Sequence, residues 1–223
     1  MNKSKLLFRG LWSLSFLLSS IATFGIADAA IPGYPDQVTA YDPREVGMLP
    51  RYCIHTQSFR ASVPGGGNPA EIKRWTAVMG PMLENMHHYC WGLMKTNRAT
   101  ILARNKQDRL FYLSDAIGEF NYVIERAPAD FVLLPEILTR KGENLLRLGK
   151  SAQGLAELQR AIDLKPDYWP PYESIAEYYK AVGDIAKARE VLEKALSFSP
   201  ESTSLKSRLS ELGAAPDKRK PTQ

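Results

Sequence analysis

The sequence predicts an all-α fold, a solenoid of helix–turn–helix units that follows a loop-rich N-terminal arm. The first observation behind this prediction is a repeat, because AIDLKP at Ala161–Pro166 returns 34 residues later as ALSFSP at Ala195–Pro200. The second is the regular placement of residues that end helices. Gly149 and Gly183 lie where a first helix would end, and a proline closes each second helix. A period of this length, broken at these points, indicates two antiparallel helices per unit.

Small and bulky residues recur at matched positions of the two copies. The matched pairs are Gly142 with Ala176, Leu145 with Tyr179, Gly154 with Ala188, and Leu158 with Leu192. Small side chains let paired helices approach closely, and large apolar side chains fill the space beside them. The pattern resembles the tetratricopeptide repeat, and the resemblance implies repeats at residues 135–168 and 169–202.

The first 29 residues have the layout of a secretory signal peptide. Residues 3–9 are basic, residues 10–27 carry no charge, and Ala27-Asp28-Ala29 supplies small residues at a cleavage site. Cleavage after Ala29 would deliver the chain to the periplasm or outside the cell. The alternative is an uncleaved anchor in the inner membrane, because the uncharged run approaches the length of a spanning helix.

The predicted arm covers residues 30–80. It holds six prolines and the triplet Gly65–Gly67, so we expect at most short helices or extended pieces there. A region of this kind has little core of its own. We therefore expect the arm to lie across the first helix of the array.

The predicted helical array covers residues 81–212. Its first copy, residues 81–128, is degenerate, and its first helix is expected to run from Pro81 past Leu102. A short helix over residues 203–212 would cap the array, since a terminal repeat otherwise exposes an apolar face. The basic tail at residues 213–223 is expected to be disordered.

All histidines and cysteines of the chain lie in two short segments, RYCIHTQ and ENMHHYCWGL. An exported chain meets an oxidising compartment, which favours a disulfide between Cys53 and Cys90 that would fasten the arm to the array. A metal-binding or redox-active site is the alternative, although its spacing is not that of a known zinc finger. Its candidate ligands are Cys53, His55, His87 and Cys90.

Other chemistry finds little support in the sequence. No G-x-S-x-G, Walker-type or H-E-x-x-H motif is present, and no C-x-x-C-H indicates haem. The formal charge is +5 without a dense basic stripe, which does not indicate a nucleic-acid partner. The sequence therefore predicts no enzyme and no cofactor. His88 points about 100° away from His87 on a helix, and we interpret it as an exposed side chain that could sense pH beside a groove.

The tetratricopeptide resemblance also implies a binding face. In that family the concave face of the first helices binds peptides or partner proteins. The corresponding residues here are Glu136, Thr139, Glu143 and Leu146, then Pro170, Glu173, Glu177 and Lys180. The lysine and asparagine set of the carboxylate-clamp subfamily is missing. We therefore expect an acidic groove that repels a C-terminal carboxylate and prefers a basic or apolar segment.

Two functional hypotheses follow from these features. The first is a non-enzymatic scaffold or adaptor of the bacterial cell envelope, which holds a protein or peptide partner in its groove. The second is a metal-binding or redox-active envelope module that uses the repeats for docking. The state of Cys53 and Cys90 distinguishes the two hypotheses, since a metal site needs free thiolates.

Overall fold

The computed structural model describes residues 41–213. The predicted signal peptide, the start of the arm and the tail beyond Gly213 lie outside the described residues. The described part is all-α, without a strand, and none of its helices is both long and apolar enough to cross a bilayer. Its helices are α1 Pro43–Gly47, α2 Gln57–Arg60, α3 Pro69–Met79, α4 Met86–Asn97, α5 Lys106–Ile124, α6 Leu134–Arg147, α7 Ser151–Leu164, α8 Pro170–Ala181, α9 Ile185–Phe198 and α10 Thr203–Glu211.

Helices α4 to α9 form three successive hairpins, which confirms the predicted helix–turn–helix array. Within each hairpin the two helices pack together, α5 and α7 pack on the hairpins that follow them, and α10 packs on α9. One core, which includes Tyr89 and Phe120, joins the arm to α4, α5 and the start of α6. A second core, which includes Leu158 and Leu192, fills the space among α7 to α10.

Glycines end the first helices of the two regular repeats, as the sequence predicts. Gly149 has φ 76° and Gly183 has φ 85°, a left-handed conformation that glycine adopts without steric cost. The Lys150 N–H donates to the Leu145 carbonyl at 2.9 Å, and the Asp184 N–H donates to the Tyr179 carbonyl at 2.9 Å. These bonds satisfy carbonyls at the helix ends and turn the chain into the second helix.

Two other glycines set the spacing between α6 and α7. A Cβ atom added at Gly142 would lie 2.7 Å from Leu158 Cγ and 3.0 Å from the Gly154 carbonyl oxygen. A Cβ atom added at Gly154 would lie 2.9 Å from the Gly142 carbonyl oxygen. The small residues that reveal the repeat in the sequence are therefore required by a close backbone approach.

We expect Gly142→Ala to destabilise the fold, and Gly118→Ala provides the matched control. Gly118 lies within α5 with no atom within 4 Å of an added Cβ, so its substitution gains about 1 kcal/mol of helix propensity. Gly142→Ala has the same propensity term but overpacks a buried crossing, which costs about 1–3 kcal/mol. Urea unfolding of both variants measures the difference, and equal stabilities would show that the crossing relaxes without cost.

Helix α4 is shorter than the sequence predicts. The expected helix begins near Pro81, but Gly80 adopts φ 59° and the Gly80–Glu84 segment winds as a 3-10 turn before α4 begins. At the other end, Arg98–Leu102 forms a π-helical turn, closed by a bond from the Ala103 N–H to the Arg98 carbonyl at 2.8 Å. The π-helical turn lengthens the connection between α4 and α5, and α5 spans 19 residues against 14 for α7 and for α9, so the first repeat is longer than the 34-residue period.

The arm consists of short helices and turns, with a 3-10 turn at Arg51–His55, and it is bound to the array at several points. The structure contains the predicted disulfide between Cys53 and Cys90. Arg60 donates two hydrogen bonds to the Glu84 carboxylate, at 2.9 and 2.7 Å. The arm is therefore covalently and electrostatically attached.

A buried ion pair also holds α1 against the end of α4. Arg98 Nε and Nη2 each donate to one carboxylate oxygen of Glu45, the second at 2.6 Å. The Arg98 side chain is 3% exposed and that of Glu45 is 9% exposed. The sequence offers no signal for this pair, because its members are 53 residues apart.

Candidate functional site

The concave face of the array is formed by the first helix of each hairpin together with α10. Polar side chains bridge each neighbouring pair of these helices. Asn144 Nδ2 donates to Thr96 Oγ1 at 2.7 Å between α6 and α4, and Ser174 Oγ donates to Glu143 Oε1 at 3.0 Å between α8 and α6. Arg208 of α10 donates to a carboxylate of α8 at 2.6 Å. The four helices therefore line one continuous groove.

Two cavities lie along this groove. The first, of about 400 Å³, lies between the arm, α4 and α6, and the second, of about 430 Å³, lies between α6, α8 and α10. Glu143 and Arg147 line both cavities, so they mark the junction. The groove thus continues from the arm to the capping helix.

The groove glutamates all have partners within the chain. Burial raises the pKa of Tyr89 well above its usual value, so its hydroxyl stays protonated and donates to Glu136 Oε1 at 2.6 Å. Glu143 lies 3.3 Å from Arg140 and 3.8 Å from Arg147. The carboxylates are therefore fixed in place before any partner binds.

The glutamates at the α8 and α10 end of the groove also have partners within the chain. Arg208 contacts Glu173 at 2.6 Å and Glu177 at 3.5 Å, while Lys180 contacts Glu177 at 3.8 Å. Lys180 also reaches Glu211 of α10 at 3.6 Å. A single cation of the capping helix therefore joins two of the predicted binding glutamates.

The predicted acidic character of the groove needs correction. The Arg140 side chain is 44% exposed, whereas Glu143 beside it is only 16% exposed, so the cation is the more accessible member of this pair. Arg147 and Arg208 are likewise interleaved with the glutamates. The prediction counted only one set of helix positions and omitted cations one turn away on the same helix or on the next one.

The prediction that Thr139 binds a partner also needs correction. Its side chain is 1% exposed and its hydroxyl donates to the Pro135 carbonyl at 2.7 Å, so it cannot contact a partner. Leu146 does line the second cavity, and it also packs against Gly154. Of the other predicted positions, Glu136 lines the first cavity, while Glu173 and Glu177 line the second.

One wall of the groove, formed by the arm, is not predicted by the sequence. Met48, Leu49 and Pro50 of the arm line the first cavity opposite Arg140 and Arg147. They follow α1 directly and precede Cys53 by a few residues, so the buried ion pair and the disulfide hold them from both sides. No periodicity marks these residues, and only the fixed position of the arm brings them to the groove.

The histidine and cysteine clusters do not form a metal site in the described part of the chain. Cys53 and Cys90 are bonded to each other, so neither offers a thiolate ligand. His55 Nδ1–H donates to the Gly66 carbonyl at 2.8 Å, and His87 Nδ1–H donates to a main-chain carbonyl at 2.7 Å. Burial, followed by the neighbouring His88, lowers the pKa of His87, which favours its neutral form. No three metal-binding side chains converge anywhere in residues 41–213.

His88 is not the exposed side chain that the sequence suggests. Its Nδ1 atom lies 2.5 Å from Glu119 Oε2, and its ring stacks on Tyr122 with 3.6 Å between centroids. Lys95 binds the other oxygen of the same carboxylate at 2.5 Å. His88 therefore belongs to the contact between α4 and α5, and the predicted exposure beside the groove is wrong.

Comparisons with known proteins agree with this geometry. The family model described as Tetratricopeptide repeat matches residues 135–168 and 171–202. A crystal structure of a thermophilic TPR protein in Thermus thermophilus matches with a TM-score of 0.52 and 20% identity, over 64% of this chain and 70% of that one. The chain is 30% identical over 111 residues to the Hsp70-Hsp90 organizing protein of Triticum aestivum, which is 48% of this chain but only 18% of that relative.

Proposed function

Because this chain is a tetratricopeptide-repeat protein, we propose that it is a non-enzymatic scaffold or adaptor of the bacterial cell envelope. It binds a partner protein or peptide along the groove formed by α4, α6, α8 and α10. The observation that carries this proposal is the continuity of the two cavities through Glu143 and Arg147. Such a groove accommodates an extended or helical segment rather than a small molecule.

The envelope location rests on two features of the chain. The first is the basic, uncharged and small-residue order of residues 1–29, which is typical of an export signal. The second is the Cys53–Cys90 disulfide, which persists in oxidising compartments and is rare in the cytosol. Both features favour a chain that works outside the cytoplasm.

The partner segment we propose is largely apolar and carries charges of both signs. Apolar surface is offered along the groove by Met48, Leu93, Leu146 and Tyr178. The charges between these residues alternate in sign, so a purely basic segment gains little from the groove as a whole. In place of the predicted preference for basic segments, we therefore expect a preference for a segment whose charges are opposite in sign to the groove residues that they face.

The partner is identified by site-specific photo-crosslinking in the native envelope. A photo-reactive residue at Tyr178, which lines the second cavity, should capture the partner. The same residue at Ser197, an exposed position on α9, is the matched control. A partner captured equally at both positions would remove the groove assignment.

Two charge reversals then test the groove with the captured partner. The substitutions are Arg147→Glu at the cavity junction and Glu177→Lys in the second cavity. Each should weaken binding by about tenfold, because the new side chain has the same charge as the partner residue that it faces. Calorimetric titration measures the change in Kd. These positions are partly exposed, so the fold tolerates the substitutions better than at Glu143, which bridges two helices.

Lys150→Glu and Glu201→Lys make the same charge changes at exposed positions outside both cavities and should leave the Kd unchanged. If Arg147→Glu instead tightens binding while Glu177→Lys weakens it, the partner segment is basic. The proposal of matched charges would then be wrong.

A further inference from the structure

The turns within the hairpins all lie along one edge of the array. Two observations establish this. Asn144 near the end of α6 bonds Thr96 near the end of α4, and Arg147 and Ala181, the last residues of α6 and α8, line the same cavity. Since the ends of the first helices are adjacent, the turns that follow them are adjacent as well. The turns that connect successive hairpins lie along the opposite edge.

The edge formed by the turns within the hairpins is basic. It consists of residues 99–111, 148–151 and 182–187, and we call these three turns the basic edge. They contain five basic and two acidic side chains. Asp184 is one of the two acids, and it is used as the N-cap of α9, where its carboxylate accepts the Lys187 N–H at 2.9 Å.

The opposite edge has the reverse charge. Its turns, residues 125–133, 163–169 and 199–202, contain two basic and five acidic side chains. The array is therefore polarised across its width, although the chain as a whole is only weakly basic. Such a separation of charge orients a protein in an external field or against a charged surface.

Large apolar side chains are exposed on the basic edge among the cations. Ile101 is 62% exposed and Phe111 is 46% exposed. The exposed apolar side chains of this edge are Ile101, Leu102, Leu110, Phe111, Val182 and Ile185. Four of the six lie in the first turn, residues 99–111, where a π-helical turn packs against the start of α5. Neither cavity of the groove includes them.

The cations of the first turn are not neutralised. Arg104, Lys106 and Arg109 form no ion pair with any acid in residues 41–213. The one acid among them, Asp108, is bound to Asn105, whose side chain accepts the Asp108 N–H at 2.8 Å and donates to its carboxylate at 3.0 Å. The turn thus presents three free cations beside four apolar side chains.

We propose that the basic edge docks on a membrane surface of anionic phospholipid. The cations would meet lipid phosphates while the apolar side chains enter the boundary between headgroups and acyl chains. Docking by this edge leaves the groove open at the side of the array, so scaffold and membrane contacts do not compete.

The test uses single cysteines that carry a polarity-sensitive dye, in the full-length chain. Both native cysteines are bonded to each other, so an introduced cysteine is the only free thiol. Dyes at Ile101→Cys and Phe111→Cys should shift to the blue and lose iodide quenching on vesicles that contain phosphatidylglycerol. Dyes at Val132→Cys and Leu164→Cys, exposed on the opposite edge, should not respond. Because the N-terminal segment is the same in all four proteins, it cannot produce this difference.

Arg104→Gln, Lys106→Gln and Arg109→Gln together should remove most of the shift, since each cation contributes about fivefold to binding an anionic surface. Lys165→Gln, Lys194→Gln and Lys206→Gln form the control set of three exposed lysines away from the basic edge. Vesicles of phosphatidylcholine alone, or added salt, should also abolish the shift. Equal shifts at the two edges, or a shift that survives loss of the three cations, would overturn the proposal. Protection of the dyes at Ile101→Cys and Phe111→Cys by a protein partner, but not by vesicles, would also overturn the proposal.

Discussion

Replacing both Cys53 and Cys90 with alanine is expected to lower the free energy of unfolding by about 4 kcal/mol. The bond closes a loop of 37 residues, and its removal raises the conformational entropy of the unfolded chain far more than that of the folded chain. Both side chains are fully buried between the arm and α4. No interaction with solvent therefore compensates for the lost bond.

Urea unfolding measures this loss, and hydrogen exchange over residues 43–79 reports whether the arm opens before the array unfolds. Wild-type protein in reductant should behave like the double variant, and reductant should not affect the variant itself. Loss of the bond should also weaken partner binding, because Met48–Pro50 form one wall of the groove. A free energy within about 1 kcal/mol of wild type would show that apolar packing alone holds the arm.

Arg98→Met is expected to destabilise the protein by about 3–5 kcal/mol, because it leaves the Glu45 carboxylate buried without its counter-charge. Arg44→Met is the matched control. Arg44, in the same short helix as Glu45, makes a similar two-point contact with Asp42, the residue before that helix, but its side chain is 90% exposed. Removal of such an exposed pair should leave the free energy of unfolding nearly unchanged.

The double variant Arg98→Met with Glu45→Leu separates the effect of the unpaired charge from the effect of lost side-chain packing. It removes both charges and should recover most of the stability, since no unpaired charge then remains in the core. Thermal and urea unfolding of the single and double variants complete the cycle. If the double variant is as unstable as Arg98→Met alone, the effect arises from the packing of the Arg98 side chain and not from its charge.

The predictions for the disulfide and for the Glu45–Arg98 ion pair concern the same wall of the groove. Glu45 and Cys53 lie on either side of Met48–Pro50, so the ion pair and the disulfide hold this segment from both ends. The arm is therefore a component of the proposed binding face and not only the segment that precedes the repeats. A partner assay on either variant reports this role directly, because the regular repeats at 135–168 and 171–202 lie apart from both attachments.

Much of the fold was predictable because its signals are local or periodic. Gly149 and Gly183 end helices because each must adopt a positive φ, and that requirement is visible in one residue type. Gly142 and Gly154 recur in register because two backbones meet there. The disulfide was predictable for a different reason, since a chain with two cysteines has one intramolecular pairing, and the predicted export favours its formation.

The groove was predicted only in part, and its charges show why. Glu143 was placed on the concave face by its position in the repeat, but the arginines that neutralise it were not counted. Thr139 occupies a matching position, yet it is buried and its hydroxyl donates to the Pro135 carbonyl of its own helix. Periodicity identifies the side of a helix on which a residue lies, but not what lies opposite.

The sequence by itself determined the helical repeats, their ends and their order, because each depends on the conformational preference of one residue or on a spacing of a few residues. It also favoured the disulfide over a metal site at Cys53 and Cys90. Only the tertiary structure decided that the Glu45–Arg98 pair is buried, that Met48–Pro50 reach the groove, and that the turns separate charge between two edges. These features join residues that are distant in the chain, and such contacts exist only once the helices have packed.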